Sequence, residues 1–344
     1  INKYQLHEFL YSKNKLDFRE SRKVLFTNSE FINKTISFTA SETRELLDTL
    51  CRAGKFRLRP EEVAQGIVAP QDCLNGKSAQ QLGNNFRVGD GVFVLSTEEV
   101  NEMNLNPKEK SMLKPYFTSR DLDRYGAKQE NKFWIIYTDS TFSNPNSLNE
   151  YRKLKAHLDK FQKIITSSCK PYGLHRSRNE TFFKSGKIMC LRKCCKPTFT
   201  FTDFDCYVSQ SFNIIKTKRI NLKSLSILLN SEVIEFWLKN MGKMQGNNYQ
   251  MDKAPLLEIP INETANRILL FPMLINYMSA LVISEYKLVT SYFEKLIDGL
   301  VYELYFPEAI QAAGKEILPH LGELTSIDDS MSDEEKLAII QREF

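Results

Sequence analysis

The chain has 344 residues, 42% of them hydrophobic and 26% charged. That length and ordinary globular composition exclude a chain without a packed core and point to two domains rather than one. With 47 Lys and Arg against 42 Asp and Glu the net charge is only +5, so any polyanion-binding function must come from how the charge is distributed rather than from its sum.

Residues 1–52 read as a lead-in, polar and extended over 28–39, followed by a helix that opens at Ser41. Glu42 and Glu45 lie in its early turns, Leu46, Leu47 and Leu50 supply an apolar stripe, and Gly54 marks its end. From residue 53 to 262 the texture changes to short strands separated by turns, including 92–95, 133–137, 187–191 and 198–201, the last with period-two alternation. Helices are expected between them at 149–166 and 222–241. After Pro260 the strands stop, and 273–305 reads as one long amphipathic helix. Leu274, Met278, Leu281, Val289, Phe293, Leu296, Leu300 and Leu304 recur near helical spacing in a rod of about 50 Å. The fold class is therefore α+β: a mixed-sheet domain over 53–262 and a carboxy-terminal helical domain over 263–344. The acidic run 328–335 reads as a helix-starting loop.

Charge follows this division. Residues 151–220 hold sixteen Lys or Arg against four Asp or Glu, whereas 263–344 hold six against fourteen. A concentrated basic block with an acidic remainder suits a protein with one face turned to phosphate. The longest uncharged stretch, 268–284, is interrupted by Pro272, Asn276 and Ser279 and is too short for a membrane span, so no membrane partner is expected. Seven Cys without a secretory leader fit a reducing cytoplasm. The first residue is Ile1 rather than Met, which leads us to expect a piece of a longer polypeptide.

The segment 242–253 joins a Gly-hinged turn to Gln245, Asn247, Asn248 and Gln250. Asn and Gln can bond adenine edges bidentately; by composition alone the same segment reads as a polar surface loop before a Pro-bounded strand. Together with 255–261 it resembles the closing segment of TaqI-like target-recognition domains, the sequence-reading half of adenine-specific DNA methyltransferases and of restriction-modification enzymes fused to them. Further segments are similar to the same domains in the same order: Ala64 to Pro70, Leu113 to Phe117 with Ser119 to Tyr125, and Tyr172 to Arg178, although the family commonly has a Trp near Tyr172. Phe293 to Phe306 resembles the helical tail of the fused enzymes, and the resemblance covers roughly residues 60–322.

The resemblance implies double-stranded DNA as partner and a part in phage defence. It implies phosphate contacts from Lys184, Lys187, Arg192, Lys193 and Lys196, and base readout by Arg176, Arg178, Asn247, Asn248, Tyr249 and Gln250. The chemistry would lie elsewhere, because adenine methylation needs an Asn or Asp before Pro-Pro and an aromatic, and none occurs here. Lys114-Pro115-Tyr116 and Lys170-Pro171-Tyr172 put Lys, a pure donor, in that place. Gly89-Asp90-Gly91 reads as a hairpin turn rather than a cofactor loop, and Glu285-Tyr286-Lys287 as a helix surface rather than a nuclease triplet. Cys190, Cys194, Cys195 and Cys206 lack the spacing of paired zinc ligands and read as reduced thiols; His175 reads as a ligand or a structural hydrogen-bonding group.

No catalytic residue, metal or cofactor is therefore assigned to this chain. S-adenosylmethionine and the methyl transfer are expected in an amino-terminal methyltransferase part, with or without an attached endonuclease. The alternatives are a stand-alone specificity subunit that recruits catalytic chains through its helices, and an RNA-binding or scaffold protein.

Overall fold

The computed structural model describes residues 3–12, 15–27, 41–284 and 286–344, the residues up to 27 as backbone alone. The expected extended stretch 28–39 lies outside the described residues. In chain order the strands are β1 (Lys3–Ser12), β2 (Lys15–Thr27), β3 (Val63–Gln65), β4 (Val94–Ser96), β5 (Leu113–Phe117), β6 (Phe133–Ile136), β7 (Lys187–Leu191), β8 (Lys193–Cys194), β9 (Phe199–Thr202), β10 (Tyr207–Val208), β11 (Phe212–Ile215), β12 (Met244–Gln245) and β13 (Asn248–Gln250). β1 and β2 pair as an antiparallel hairpin, where the sequence suggested only a lead-in.

Three further sheets follow, ordered β10-β5-β6-β4, β3-β11-β7-β9 and β12-β13-β8. All their pairings are antiparallel except β10 with β5. The second sheet is the wall between two hydrophobic cores. Because successive side chains point to opposite faces, Ile188 and Cys190 of β7 enter the core shared with the helices, while Met189 enters the core of the first sheet. Ile215 and Ile214 of β11 divide in the same way. Strands covered on both faces read as near-continuous apolar runs, which is how residues 188–190 read and, but for the buried Asn213, residues 212–215.

Gly66, between β3 and the first core, passes so close to the β10–β11 connection that a side-chain Cβ would stand 2.1 Å from the Ser209 carbonyl oxygen. Only glycine permits that approach. Its amide reaches the Phe212 carbonyl at 3.0 Å.

The helices both agree with and correct the sequence reading. Ser41–Ala53 is a helix as expected, with Leu47 and Leu50 buried but Leu46 turned outward. The expected 149–166 helix is confined to Arg152–Asp159, and the buried Phe161, Ile164 and Ile165 lie beyond it in turns and irregular chain. The 222–241 helix is two, Leu222–Asn230 and Glu232–Met241. Ser231 divides them: its hydroxyl donates to the Leu228 carbonyl and accepts from the Ile234 amide, ending one helix and capping the next.

The single long helix is also two, Leu270–Ile283 and Lys287–Tyr305, packed on each other. A 33-residue rod would leave one apolar side unpaired, whereas folding it back sets Tyr277 edge-on to Phe293 at 5.6 Å. Asp333–Glu343 begins after a Ser332–Glu335 capping box, as the acidic run suggested. Among the described residues no helix is long and apolar enough to cross a membrane.

Candidate functional site

The donor-rich residues converge where β7 leaves the second sheet. Its continuation turns at Arg192 into the short β8, which pairs with β13 of a hairpin, Cys194 opposite Tyr249 and Lys193 opposite Gln250. That hairpin has Gln245 paired with Asn248, leaving Gly246 and Asn247 as a two-residue turn. Gly246 has φ +60°, the left-handed conformation that a tight hairpin asks of glycine at the first turn position.

Period two then decides what each hairpin side chain faces. Asn248 and Gln250 are half-buried on one side; Tyr249 between them is buried, and its hydroxyl donates to Glu235 Oε1 at 3.2 Å. Tyr249 packs into the helical core and is not presented for base readout, which corrects the sequence expectation. Asn247 is exposed at the tip.

The turn at 175–178 reaches the same region. Arg176 exchanges both backbone bonds with Val68 at 3.0 Å and extends an exposed side chain. Arg178 has φ +69°, and its guanidinium donates from Nε to the Gly66 carbonyl at 3.1 Å and from Nη2 to Gln65 Oε1 at 2.7 Å. Burial, then the charges of Arg176 and Arg192, lower its pKa, though an arginine keeps its charge in this setting. His175 is exposed beside it.

Arg192 links turn and hairpin. Its Nη1 donates to the Gln210 carbonyl at 3.1 Å and its Nη2 to Asp252 Oδ1 at 2.7 Å. On one side of it lies a cleft of about 460 Å³ lined by Gln65, Arg178, Asn179, Asn213 and Lys253; on the other, a cleft of about 530 Å³ lined by Ser119, Lys193, Gln245, Gln250 and Asp252. The structure thus brings Arg178, Arg192, Lys193 and Gln250 together around two clefts that share Arg192, with the charge of Arg176 felt at Arg178. Gln65, Gln245, Asp252 and Lys253 stand there too. All four lie inside the quoted motifs, and Asp252 could have been found as the acid two residues beyond Gln250.

The other lysines divide. Lys196 is exposed. Lys184 is half-buried and paired with Glu180 at 3.2 Å. Lys187 is fully buried, its ammonium donating to the Ser185 carbonyl at 3.0 Å and the Phe204 carbonyl at 2.5 Å. It cannot meet a phosphate from there. β7 is covered on both faces, and the Lys187 side chain lies on the Met189 side, within the sheet, which overturns its assignment as a backbone contact.

Burial holds the Cys190, Cys194 and Cys206 thiols up, Cys194 to about 11 and Cys206 to about 12, while Cys195 is exposed. Among the described residues no group of three or more His, Cys, Asp or Glu is placed to hold a metal. Gly89, with φ +100°, lies in a turn before β4, its amide on the Leu74 carbonyl. Glu285 lies outside the described residues, and Tyr286 and Lys287 stand between and at the start of the paired helices. What the face offers is a set of N–H donors around two open clefts, the equipment for holding an acceptor-rich polyanion.

Residues 114–261 match the TaqI-like C-terminal specificity domain. Among solved structures the chain is similar to the type IIL restriction-modification enzyme MmeI in complex with DNA, with 12% identity over 85% of this chain and 36% of that one and a TM-score of 0.44. It is also similar to the type IIG restriction endonuclease BpuSI, with 12% identity over 78% of this chain and 34% of that one and a TM-score of 0.38. The chain spans about a third of the length of these two structures. A search of curated proteins returns no match.

Proposed function

We propose, from the match of residues 114–261 to the TaqI-like C-terminal specificity domain, that this chain reads the base sequence of double-stranded DNA for a restriction-modification enzyme. The observation that carries the reading is Arg192, shared by a cleft bearing Arg178 and a cleft bearing Lys193 and Gln250. Arginine is the commonest base-edge reader and an effective phosphate contact, and glutamine pairs with adenine. One continuous face therefore holds residues for both position and sequence.

The finer reading is that the parent enzyme methylates adenine, using S-adenosylmethionine bound in an amino-terminal part, with an endonuclease as a further module. The exposed Lys193 and Lys196 take the backbone, and Arg176, Arg178, Asn248 and Gln250 the base edges. Competition binding across a library of duplexes tests the first statement: a preferred site of a few base pairs is expected, and equal affinity for every duplex would refute it. Sequencing the native reading frame upstream of Ile1 separates the fused enzyme, which continues well beyond it, from a stand-alone specificity subunit, which does not.

A further inference from the structure

Asp252 is the one acid among the residues that line the second cleft, and it holds three of the donors at once. Oδ1 accepts from Arg192 at 2.7 Å; Oδ2 accepts from Gln250 Nε2 at 3.0 Å and pairs with Lys243 Nζ at 3.2 Å. The carboxylate is itself held in place. Its backbone amide bonds the Gln250 carbonyl at 3.0 Å, and the preceding Met251 is buried, its carbonyl accepting from the buried Asn213 side chain at 2.6 Å. The Arg192 hydrogen bond keeps the Asp252 carboxyl below the ordinary carboxylate range, so it is charged at neutral pH.

We propose that Asp252 is a specificity-determining positioning residue, which holds Arg192, Lys243 and Gln250 in place and turns the face away from indiscriminate phosphate binding. The inference rests on the DNA-reading function proposed above. A phosphate that approaches the second cleft meets a fixed negative charge, and two cations that already share that carboxylate as a partner. A base edge is uncharged, and Arg192 has five N–H donors, of which Asp252 and Gln210 engage two. A base-edge acceptor can therefore be met by the remaining donors without displacing the carboxylate. Penalising the wrong ligand in this way raises discrimination even where it lowers affinity.

The test is Asp252→Asn in the intact protein, with affinity measured against salt for the preferred duplex and for unrelated ones. Freeing two cations should raise affinity for unrelated duplexes by about tenfold. It should also steepen the salt slope by roughly 1 to 2, at about 0.9 for each phosphate newly neutralised. The ratio of preferred to unrelated affinity should fall, and Asp252→Glu should restore it. Lys243→Gln, made with Asp252 intact, should leave the slope unchanged; a shallower slope there would overturn the proposal even if Asp252→Asn failed to fold.

An unchanged slope and unchanged preference in Asp252→Asn would overturn it as well. So would loss of preference at a single base pair with the slope intact, because Asp252 would then be a base contact itself. A wild-type protein that binds DNA without preference would sink the DNA-reading function and this inference together; a wild-type preference that survives Asp252→Asn sinks the inference alone.

Discussion

Arg192 on the donor face and Arg124 at the seam between the sheets and the helices make nearly the same bonds. Arg192 donates to a carboxylate and to a backbone carbonyl, Asp252 and Gln210; Arg124 donates to the Glu294 carboxylate at 2.6 Å and to the Asn230 carbonyl. The settings differ. The Arg192 side chain is 32% exposed and that of Arg124 14%, with the Arg124 Nε sealed in without a partner. The same guanidinium chemistry is committed to the fold in one region and left available in the other. Exposure, not hydrogen bonding, separates the arginine that can still meet a ligand from the one that cannot.

Truncating each arginine gives the sharpest contrast. Arg124→Ala leaves Glu294 and the Asn230 carbonyl short of a donor at the seam and should cost roughly 2 to 3 kcal/mol of stability in urea denaturation. Arg192→Ala removes a half-exposed pair and should cost less than about 1 kcal/mol, while DNA discrimination is lost. Equal stability losses in the two variants would abolish the distinction between the regions.

The hairpin tests whether the donor face reads bases at all. Gln250→Ala or Asn248→Ala should lower affinity by about 1 to 3 kcal/mol at one position of the preferred site, with the salt slope unchanged. A uniform loss across all duplexes would move these residues from readout to support.

A third contrast sets exposed lysines against a buried one. Lys193→Ala with Lys196→Ala should make the salt slope shallower by up to about 1.8, at about 0.9 per phosphate contact, and weaken all duplexes alike. Lys187→Met should leave the slope as it is. A slope change in the second variant, or none in the first, would reverse the assignment.

These contrasts also mark how far the sequence could be read. β6, β7 and β9 stand where the strand patterns predict them, because short apolar and β-branched runs between turns leave few other structures open. The motif order placed the hairpin and the basic turn, which the structure joins through Arg192. Burial of single residues was harder. Lys187 lies in a strand covered on both faces, where alternation gives no inward and outward side to choose between. Tyr249, by contrast, could have been excluded from readout by the alternation of Asn248, Tyr249 and Gln250 in the hairpin. The break at Ser284 was hidden because the apolar spacing of 274–304 runs through it unchanged, and only the partner surface made by folding back favours two helices. Asp252 went unassigned because its value depends on three donors, two of them distant in sequence or across a turn.

Lys187 permits the finest test, because its charge can be titrated where it stands. Burial lowers its pKa from about 10.5 to about 8, against the two carbonyls that its ammonium bonds. Below pH 8 both folded and unfolded chains carry the proton, and the cost of burying the charge is fully present. Between about pH 8 and pH 10.5 the unfolded chain holds more protons than the folded one, so stability rises with pH over that window. Lys187→Met lacks this contribution. The stability of the wild type relative to Lys187→Met should therefore improve by about 1 kcal/mol between about pH 7 and pH 9, at about 1.4 kcal/mol per pKa unit. Urea denaturation of both proteins across that range measures it, and tyrosine ionisation common to the two cancels in the difference. A difference that stays flat would mean that Lys187 titrates as an exposed lysine does, and would return it to the candidates for phosphate contact.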